Sequence, residues 1–86
     1  MSLSICCLGD GTDHNGTVKS VTGTLNIDGR RNARKGDIVS CPKHGDNRIA
    51  EGDASMLDEG VPIVLHGHHS ECGCVVIASA NVSVST

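Results

Sequence analysis

The chain has 86 residues, contains no Phe, Tyr or Trp, and carries a formal charge of −3 with its histidines neutral. Single-stranded nucleic acids are bound through a basic groove and stacked aromatic rings, so this composition argues against a nucleic-acid platform. No apolar stretch approaches the roughly 18 residues of a membrane-spanning helix, and the N-terminus lacks the layout of a signal peptide. We expect a single domain over residues 1–86 without stable membrane insertion.

The hydrophobic core of a chain of this size usually needs an additional source of stability. It buries only about 60–65% of the surface that the unfolded chain exposes, and small domains usually add disulfides, a metal ion or a partner subunit. Five cysteines are an odd number for disulfide pairing, and Cys72 and Cys74 are separated by only one glycine. Thiols that stay reduced are available to a metal, so the sequence favours a metal ion.

Three similar units follow one another along the chain. Gly9-Asp10 recurs as Gly36-Asp37, 27 positions later, and again as Gly67-His68, 31 positions further on. The longer second spacing indicates about four extra residues in the second unit. Self-similarity at such a period is typical of stacked or rotationally repeated units. We therefore predict three repeats about a pseudo-threefold axis.

The predicted elements are short strands separated by turns. In chain order, alternation typical of half-buried strands appears at 24–27, compact apolar runs appear at 61–65 and 74–77, and alternation returns at 81–84. Hairpin-type turns are predicted at Asn15-Gly16, Asp28-Gly29 and Glu59-Gly60. No segment has helical periodicity over ten residues. The predicted fold class is all-β, and its narrow interior leaves no room for aromatic rings.

Candidate metal ligands lie in the turns that follow the Gly-Asp and Gly-His pairs. His14, Cys41 and Cys72 each lie four residues after the Asp or His of their pair, so threefold pseudo-symmetry would bring them to one axial point. His44 follows Cys41 by three residues in CPKHGDN (41–47), within the extra segment of the second unit. Four nitrogen and sulfur ligands form a closed structural zinc site. We predict one structural zinc ion held by His14, Cys41, His44 and Cys72.

Other residues compete for these roles. A set of three histidines and one cysteine, with His69 in place of Cys41, is an alternative, and Cys74 either faces away from the site or closes it. Cys6 and Cys7 are expected to fill the core. The basic cluster is expected to be a solvated edge, and it consists of Arg30, Arg31, Arg34 and Lys35.

Three stretches together resemble the PAAR-repeat family: RNARKGD at 31–37, GDIVSCPKHGDNRIAEGD at 36–53 and ECGC at 71–74. The motif Pro-Ala-Ala-Arg that names the family reads RNAR here, and the third unit has PIVL at 62–65. The resemblance implies a small cone with a zinc ion near its point. It also implies a place at the tip of a type VI secretion spike, or of a contractile phage tail, with the base of the cone on the trimeric valine-glycine-repeat spike protein.

A structural tip protein is therefore the expected function. In longer family members the extra domains are toxins, and a single domain over 1–86 leaves no room for one. We expect one copy per spike trimer, possible effector companions, synthesis in the bacterial cytoplasm, and export at the spike tip without a signal peptide. The base of the cone is expected to expose apolar side chains, namely Leu25, Ile27, Met56, Leu57 and Val82.

Two other functions compete with this one. His69-Ser70-Glu71 followed by Cys72-Gly73-Cys74 resembles part of a zinc deaminase site, but the Pro-Cys-x-x-Cys segment and the base pocket of those enzymes are missing. We therefore expect no enzymatic activity. A stand-alone zinc-binding module is the other alternative, and it would exchange its metal on dialysis.

Overall fold

The computed structural model describes residues 2–27, 29–78 and 83–85. This part of the chain contains no helix, and therefore none long and apolar enough to span a membrane. Its strands are β1 (Ser2–Ser4), β2 (Gly11–Thr12), β3 (Thr17–Ser20), β4 (Asn26–Ile27), β5 (Arg30–Arg31), β6 (Ile38–Ser40), β7 (Asn47–Arg48), β8 (Asp53–Asp58), β9 (Val61–Ile63), β10 (Val76–Ile77) and β11 (Ser83–Ser85). The all-β prediction is confirmed. Residues 28, 81 and 82, which belong to a predicted turn and a predicted strand, lie outside the described residues.

A closed ring of backbone hydrogen bonds joins the three repeats. Cys6 donates to the carbonyl of Val64 (2.9 Å), Val64 donates to Ala33 (3.0 Å), and Ala33 donates to Cys6 (2.8 Å). These three residues occupy the same position in their units, and each is fully buried. The ring has the pseudo-threefold symmetry that the spacing of the repeats predicts.

The Gly-Asp signature is explained by a turn that occurs in every unit. Gly9, Gly36 and Gly67 have positive φ angles of 88°, 96° and 93°, a backbone region that favours glycine. Their amides donate at 2.9–3.0 Å to equivalent carbonyls, those of Val18, Ile49 and Val76. The repeated glycines therefore fix three equivalent changes of chain direction.

The residue after each of these glycines caps the turn with its side chain. Asp10 Oδ2 accepts from the amide of Cys7 at 2.7 Å, and Asp37 Oδ2 accepts from Arg34 at 2.7 Å. In the third unit His68 Nδ1 accepts from Leu65 at 3.0 Å. An imidazole nitrogen thus replaces a carboxylate oxygen as the acceptor, and for this reason Gly67-His68 aligns with two Gly-Asp pairs.

The hairpins of the three units form one curled antiparallel sheet in the order β10-β2-β3-β6-β7. Its two edges are linked through isolated bridges between Ile49 and Ser70 and between His69 and Val75. Three further antiparallel pairs lie outside this sheet: the hairpins of β4 with β5 and of β8 with β9, and the pair of β1 with β11. The last of these pairs the first and last described strands, so the N-terminal strand completes the third unit.

Two buried clusters fill the interior. The first surrounds the ring and contains Cys6, Val18, Ala33, Val39, Ile49, Val64 and Val76. The second contains Ile5, Cys7, Ile27, Ile63 and Leu65. Because neighbouring strand residues point to opposite faces, Cys6 and Cys7 enter different clusters. Both cysteines are buried, which confirms that they fill the core.

The predicted solvated edge is only partly correct. Arg30 Nη1 lies 2.8 Å from Asp10 Oδ1. The side chain of Arg34 is only 13% exposed, and its Nη1 donates to the carbonyl of Asp58 at 2.9 Å. Arg31, in contrast, is exposed as expected. Two of the four cations therefore brace the fold, whereas the prediction placed all four in solvent.

We expect acid to destabilise the fold partly through Asp58. Hydrogen bonds from the hydroxyl and amide of Thr24 lower the pKa of this carboxyl group. A lowered folded-state pKa gives stability that is present above the unfolded-state pKa of about 3.9 and is lost as the pH falls through the folded-state value. Asp58→Asn should therefore lower the melting temperature at neutral pH by several degrees and flatten its decline below about pH 5.

Thermal melts by circular dichroism across a pH series measure this effect. Asp46→Asn is the matched control, because Asp46 pairs with Lys19 at an exposed site where ion pairs contribute little. Parallel pH curves for Asp58→Asn and the parent would contradict the assignment to Asp58.

Candidate metal centre

Three equivalent turns bring the candidate ligands together. An equivalent backbone hydrogen bond spans each turn, from the amide of the first residue to the carbonyl of the fifth: Thr12 to Gly16 (3.0 Å), Cys41 to Gly45 (3.1 Å) and Ser70 to Cys74 (2.8 Å). The turns therefore occupy residues 12–16, 41–45 and 70–74, one in each unit. Their side chains supply the sulfur and imidazole groups of the cluster around Cys74.

The hydrogen bonds also correct the alignment of the three turns. His14 and Cys72 occupy the same position, and the equivalent residue of the second unit is Lys43, whereas the sequence alignment had placed Cys41 there. Cys41 instead corresponds to Thr12 and Ser70. The extra residues of the second unit lengthen both arms of its hairpin by two residues each. Cys41 therefore lies at the site because its hairpin arm is longer, although its position in the turn is not equivalent to those of His14 and Cys72.

The sulfur atom of Cys74 lies at the centre of the cluster. It is 3.0 Å from His14 Nδ1, 3.1 Å from the sulfur of Cys72 and 3.3 Å from the sulfur of Cys41. The ligand atoms of His14, Cys41 and Cys74 all lie within 4.8 Å of one another. Cys41 and Cys74 are buried, Cys72 is half-buried and His14 is exposed. All of these cysteines are free thiols.

Two of the thiols have opposite pKa shifts. Hydrogen bonds, first from the Ser70 hydroxyl and then from Cys74, lower the pKa of Cys72. Burial, followed by the neighbouring Cys72 and Cys41 sulfur atoms, raises the pKa of Cys74. Contact among three sulfur atoms thus disfavours a second negative charge, unless a cation neutralises it.

The donor set fits a tetrahedral ion. Zn–S bonds of about 2.3 Å and Zn–N bonds of about 2.0 Å place neighbouring ligand atoms roughly 3.5–3.8 Å apart. The contacts around Cys74 are 3.0–3.3 Å, so the donors would move outward by about half an ångström to hold the ion. Three thiolates and one imidazole are a known structural zinc set. His14, Cys41 and Cys74 form the mutually close group that could hold a metal, and Cys72 adds a thiol in contact with Cys74 at its side.

The structure gathers three of the four predicted ligands, His14, Cys41 and Cys72, around Cys74. His44 is exposed in the same turn as Cys41 and does not belong to the group of close ligand atoms among the described residues. Ligation by His44 stays a prediction. His69, the alternative ligand, is exposed, and its Nδ1 lies 2.6 Å from Glu51 Oε1.

Cys74 is the residue for which the sequence left two roles open. Gly73, immediately before it, has a positive φ of 91°. In a regular strand, Cys72 and Cys74 would lie on the same face of an extended segment. The left-handed conformation of Gly73 instead makes the chain turn between the two cysteines. The glycine between the two cysteines was the signal for a turn, and the turn brings Cys74 into the site.

The fold and the site together define a class of protein. It is an all-β protein of three hairpin units, with a candidate metal centre where their turns meet. The PAAR motif matches residues 8–78, so the chain belongs to the PAAR-motif family. The predicted resemblance is confirmed. PAAR motifs are associated with spike-tip proteins of type VI secretion, and the family is structural and not enzymatic. No curated protein matches the chain.

Proposed function

We propose that this protein is the structural tip of a type VI secretion spike and sits as a single copy on the trimeric valine-glycine-repeat spike protein. The observation that carries the proposal is the ring of hydrogen bonds through Cys6, Ala33 and Val64. One polypeptide thereby presents three similar faces about one axis. Such a chain matches the end of a true trimer without forming a trimer itself. Membership of the PAAR-motif family supports the same role.

The proposed metal is one zinc ion. His14, Cys41, Cys72 and Cys74 supply its donors, and the four residues come from all three units. When bound, the ion would tie the three turns together with a full set of protein ligands, which is the arrangement of a structural zinc site. These residues are proposed to hold the turns rigid, and no catalytic role is proposed for them.

The proposed contact with the spike is apolar. Leu25 and Leu57 are 40% and 56% exposed, and Leu57 belongs to the outer hairpin of β8 and β9. Ile27, which was expected at this surface, is buried instead, and Met56 is half-buried against the same cluster. Val82 lies outside the described residues. The proposed surface therefore rests on the two exposed leucines.

We expect one copy of this protein to bind one spike trimer, and the affinity to change little between low and high salt, because the contact is apolar. Leu57→Asp should weaken binding about tenfold or more, because it places a charge in a desolvated contact. Native mass spectrometry gives the stoichiometry, and titration at two salt concentrations gives the affinity.

Ile77→Asp is the matched control for this experiment. Ile77 is 43% exposed, but it belongs to β10 of the curled sheet and not to an outer hairpin. Its substitution should leave spike binding unchanged. A stoichiometry of three to three, or no binding to the cognate spike at any salt concentration, would rule out the proposal.

In this proposal the protein is made in the bacterial cytoplasm and leaves the cell at the end of the spike, with any effector proteins that the same assembly carries. A rigid all-β tip suits penetration of a target envelope because its strands are tied by hydrogen bonds in every unit. The binding experiment above tests the assembly on which this route depends.

A further inference from the structure

We propose that the cysteine cluster is an oxidation site, at which a hydroperoxide converts Cys72 and Cys74 into a disulfide. The inference goes beyond the role in a spike and does not depend on it. It rests on the placement of the sulfur atoms and on their different access to solvent.

Cys72 and Cys74 are placed as an attacking thiol and its partner. Their sulfur atoms are 3.1 Å apart, already in contact. Cys72 is half-buried, so a small oxidant can reach it from solvent, whereas Cys74 is fully buried. The Ser70 hydroxyl lies 3.3 Å from the Cys72 sulfur and holds it in this position. An accessible thiol beside a second thiol is the usual arrangement of a cysteine that is oxidised reversibly.

The other thiols are protected from this chemistry. Cys6 and Cys7 are fully buried and point into separate core clusters, so they are neither accessible nor in contact with each other through their side chains. Cys41 is buried, and its sulfur contacts that of Cys74 at 3.3 Å. Among the cysteines, only Cys72 combines exposure with a neighbouring thiol.

The reaction is balanced with one hydroperoxide. The Cys72 thiolate attacks a peroxide oxygen, the O–O bond breaks, and the products are a sulfenic acid on Cys72 and one hydroxide, which takes up a proton to become water. The Cys74 sulfur then attacks the Cys72 sulfur, the S–O bond breaks, and the hydroxyl group leaves as a second water with the proton of Cys74. Hydrogen peroxide is the oxidant, and two thiols are oxidised to one disulfide.

The same sulfur atoms serve both chemistries, so metal binding and the disulfide exclude each other. A disulfide sulfur carries no negative charge and is a poor zinc ligand, because the thiolate is the form that binds metal. Oxidation would leave only His14 and Cys41 of the four donors. The cluster therefore holds a metal when it is reduced and releases it when it is oxidised.

The 86-residue chain, prepared with zinc and also after chelation, is treated with hydrogen peroxide. Two of the five thiols should disappear, the intact mass should fall by two hydrogen atoms, and peptide mapping should join Cys72 to Cys74. A chelating dye should report zinc release that parallels the loss of thiols in the zinc-loaded sample. Dithiothreitol should restore the thiols.

Two variants make the assignment falsifiable. Cys72→Ser should slow thiol loss about tenfold or more, because the accessible thiol is gone. Cys6→Ala is the matched control, since Ala33 occupies the equivalent position of the second unit, and it should lose its thiols at the parental rate. Retention of all thiols, a bridge that includes Cys6 or Cys7, or unchanged oxidation of Cys72→Ser would overturn the proposal. Spike binding is measured separately, so failure here leaves the tip function intact.

Discussion

Replacing Cys74 with Ser is expected to remove the metal ion and lower the melting temperature by roughly 20 °C or more. Cys74 lies at the centre of the cluster, in contact with His14, Cys72 and Cys41. Structural zinc contributes on the order of 10 kcal/mol in small metal-dependent domains, whereas whole domains are stable by only about 5–15 kcal/mol. Loss of the central ligand should therefore cost most of the stability of so small a protein.

Metal analysis by mass spectrometry and thermal melts by circular dichroism measure the two effects. The parent should contain one zinc per chain, and Cys74→Ser should contain little. The proposed centre fails if Cys74→Ser keeps one equivalent and melts like the parent.

His44→Ala separates the ligand set of the structure from the set predicted from the sequence. His44 lies in the same turn as Cys41 but is exposed and outside the cluster, so we expect its variant to keep the metal and to melt within a few degrees of the parent. Loss of zinc from His44→Ala comparable to that from Cys74→Ser would instead place His44 among the ligands. The same two measurements decide the question.

The repeat was predictable because its glycines carry a conformational requirement. Gly9, Gly36 and Gly67 all have positive φ, which favours glycine, so each copy of the turn has glycine at this position. The spacing between these glycines located the three units. The absence of aromatic residues likewise agreed with an interior as narrow as the ring of Cys6, Ala33 and Val64. These features depend on local backbone rules, which the sequence displays directly.

The exact ligand set was not predictable because it depends on hairpin register. The spacing of the repeats showed that the second unit is longer. It did not show that the extra residues are divided between both arms of the hairpin. Because they are divided, Cys41 is not in the position equivalent to His14. Tertiary position also decided the fate of Arg34. Its position is equivalent to that of the buried Cys7 and Leu65, and its side chain, only 13% exposed, donates to the carbonyl of Asp58.

The segment 22–24 is held by hydrogen bonds to two carboxylate groups, those of Asp37 and Asp58. Thr22 donates to the Asp37 carboxylate through its amide (3.0 Å) and hydroxyl (2.7 Å), and Thr24 donates through its amide to Asp58 (2.8 Å). Gly23, between them, packs on Asn32. The segment is therefore held at both ends while its middle residue has no free space.

Gly23→Ala is expected to destabilise the protein by on the order of 3 kcal/mol, which corresponds to a fall in melting temperature of roughly 12–24 °C. A Cβ atom on Gly23 would lie 2.0 Å from the carbonyl oxygen and 2.0 Å from the Oδ1 atom of Asn32. Asn32 cannot move away cheaply, because it is fully buried and its side chain bonds the amide of Leu25 and the carboxylate of Asp58. The clash must be relieved by breaking hydrogen bonds on one side or the other.

Urea unfolding of both variants against the parent measures this cost, with Gly11→Ala as the matched control. Gly11 is also a glycine without positive φ, and its added Cβ would meet its nearest neighbour at 3.7 Å, an ordinary contact. The control should therefore unfold within about 1 kcal/mol of the parent, and it gains from the reduced entropy of its unfolded chain. If Gly23→Ala unfolds at the same urea concentration as Gly11→Ala, the 22–24 segment is free to shift, and its hydrogen bonds to Asp37 and Asp58 do not hold it.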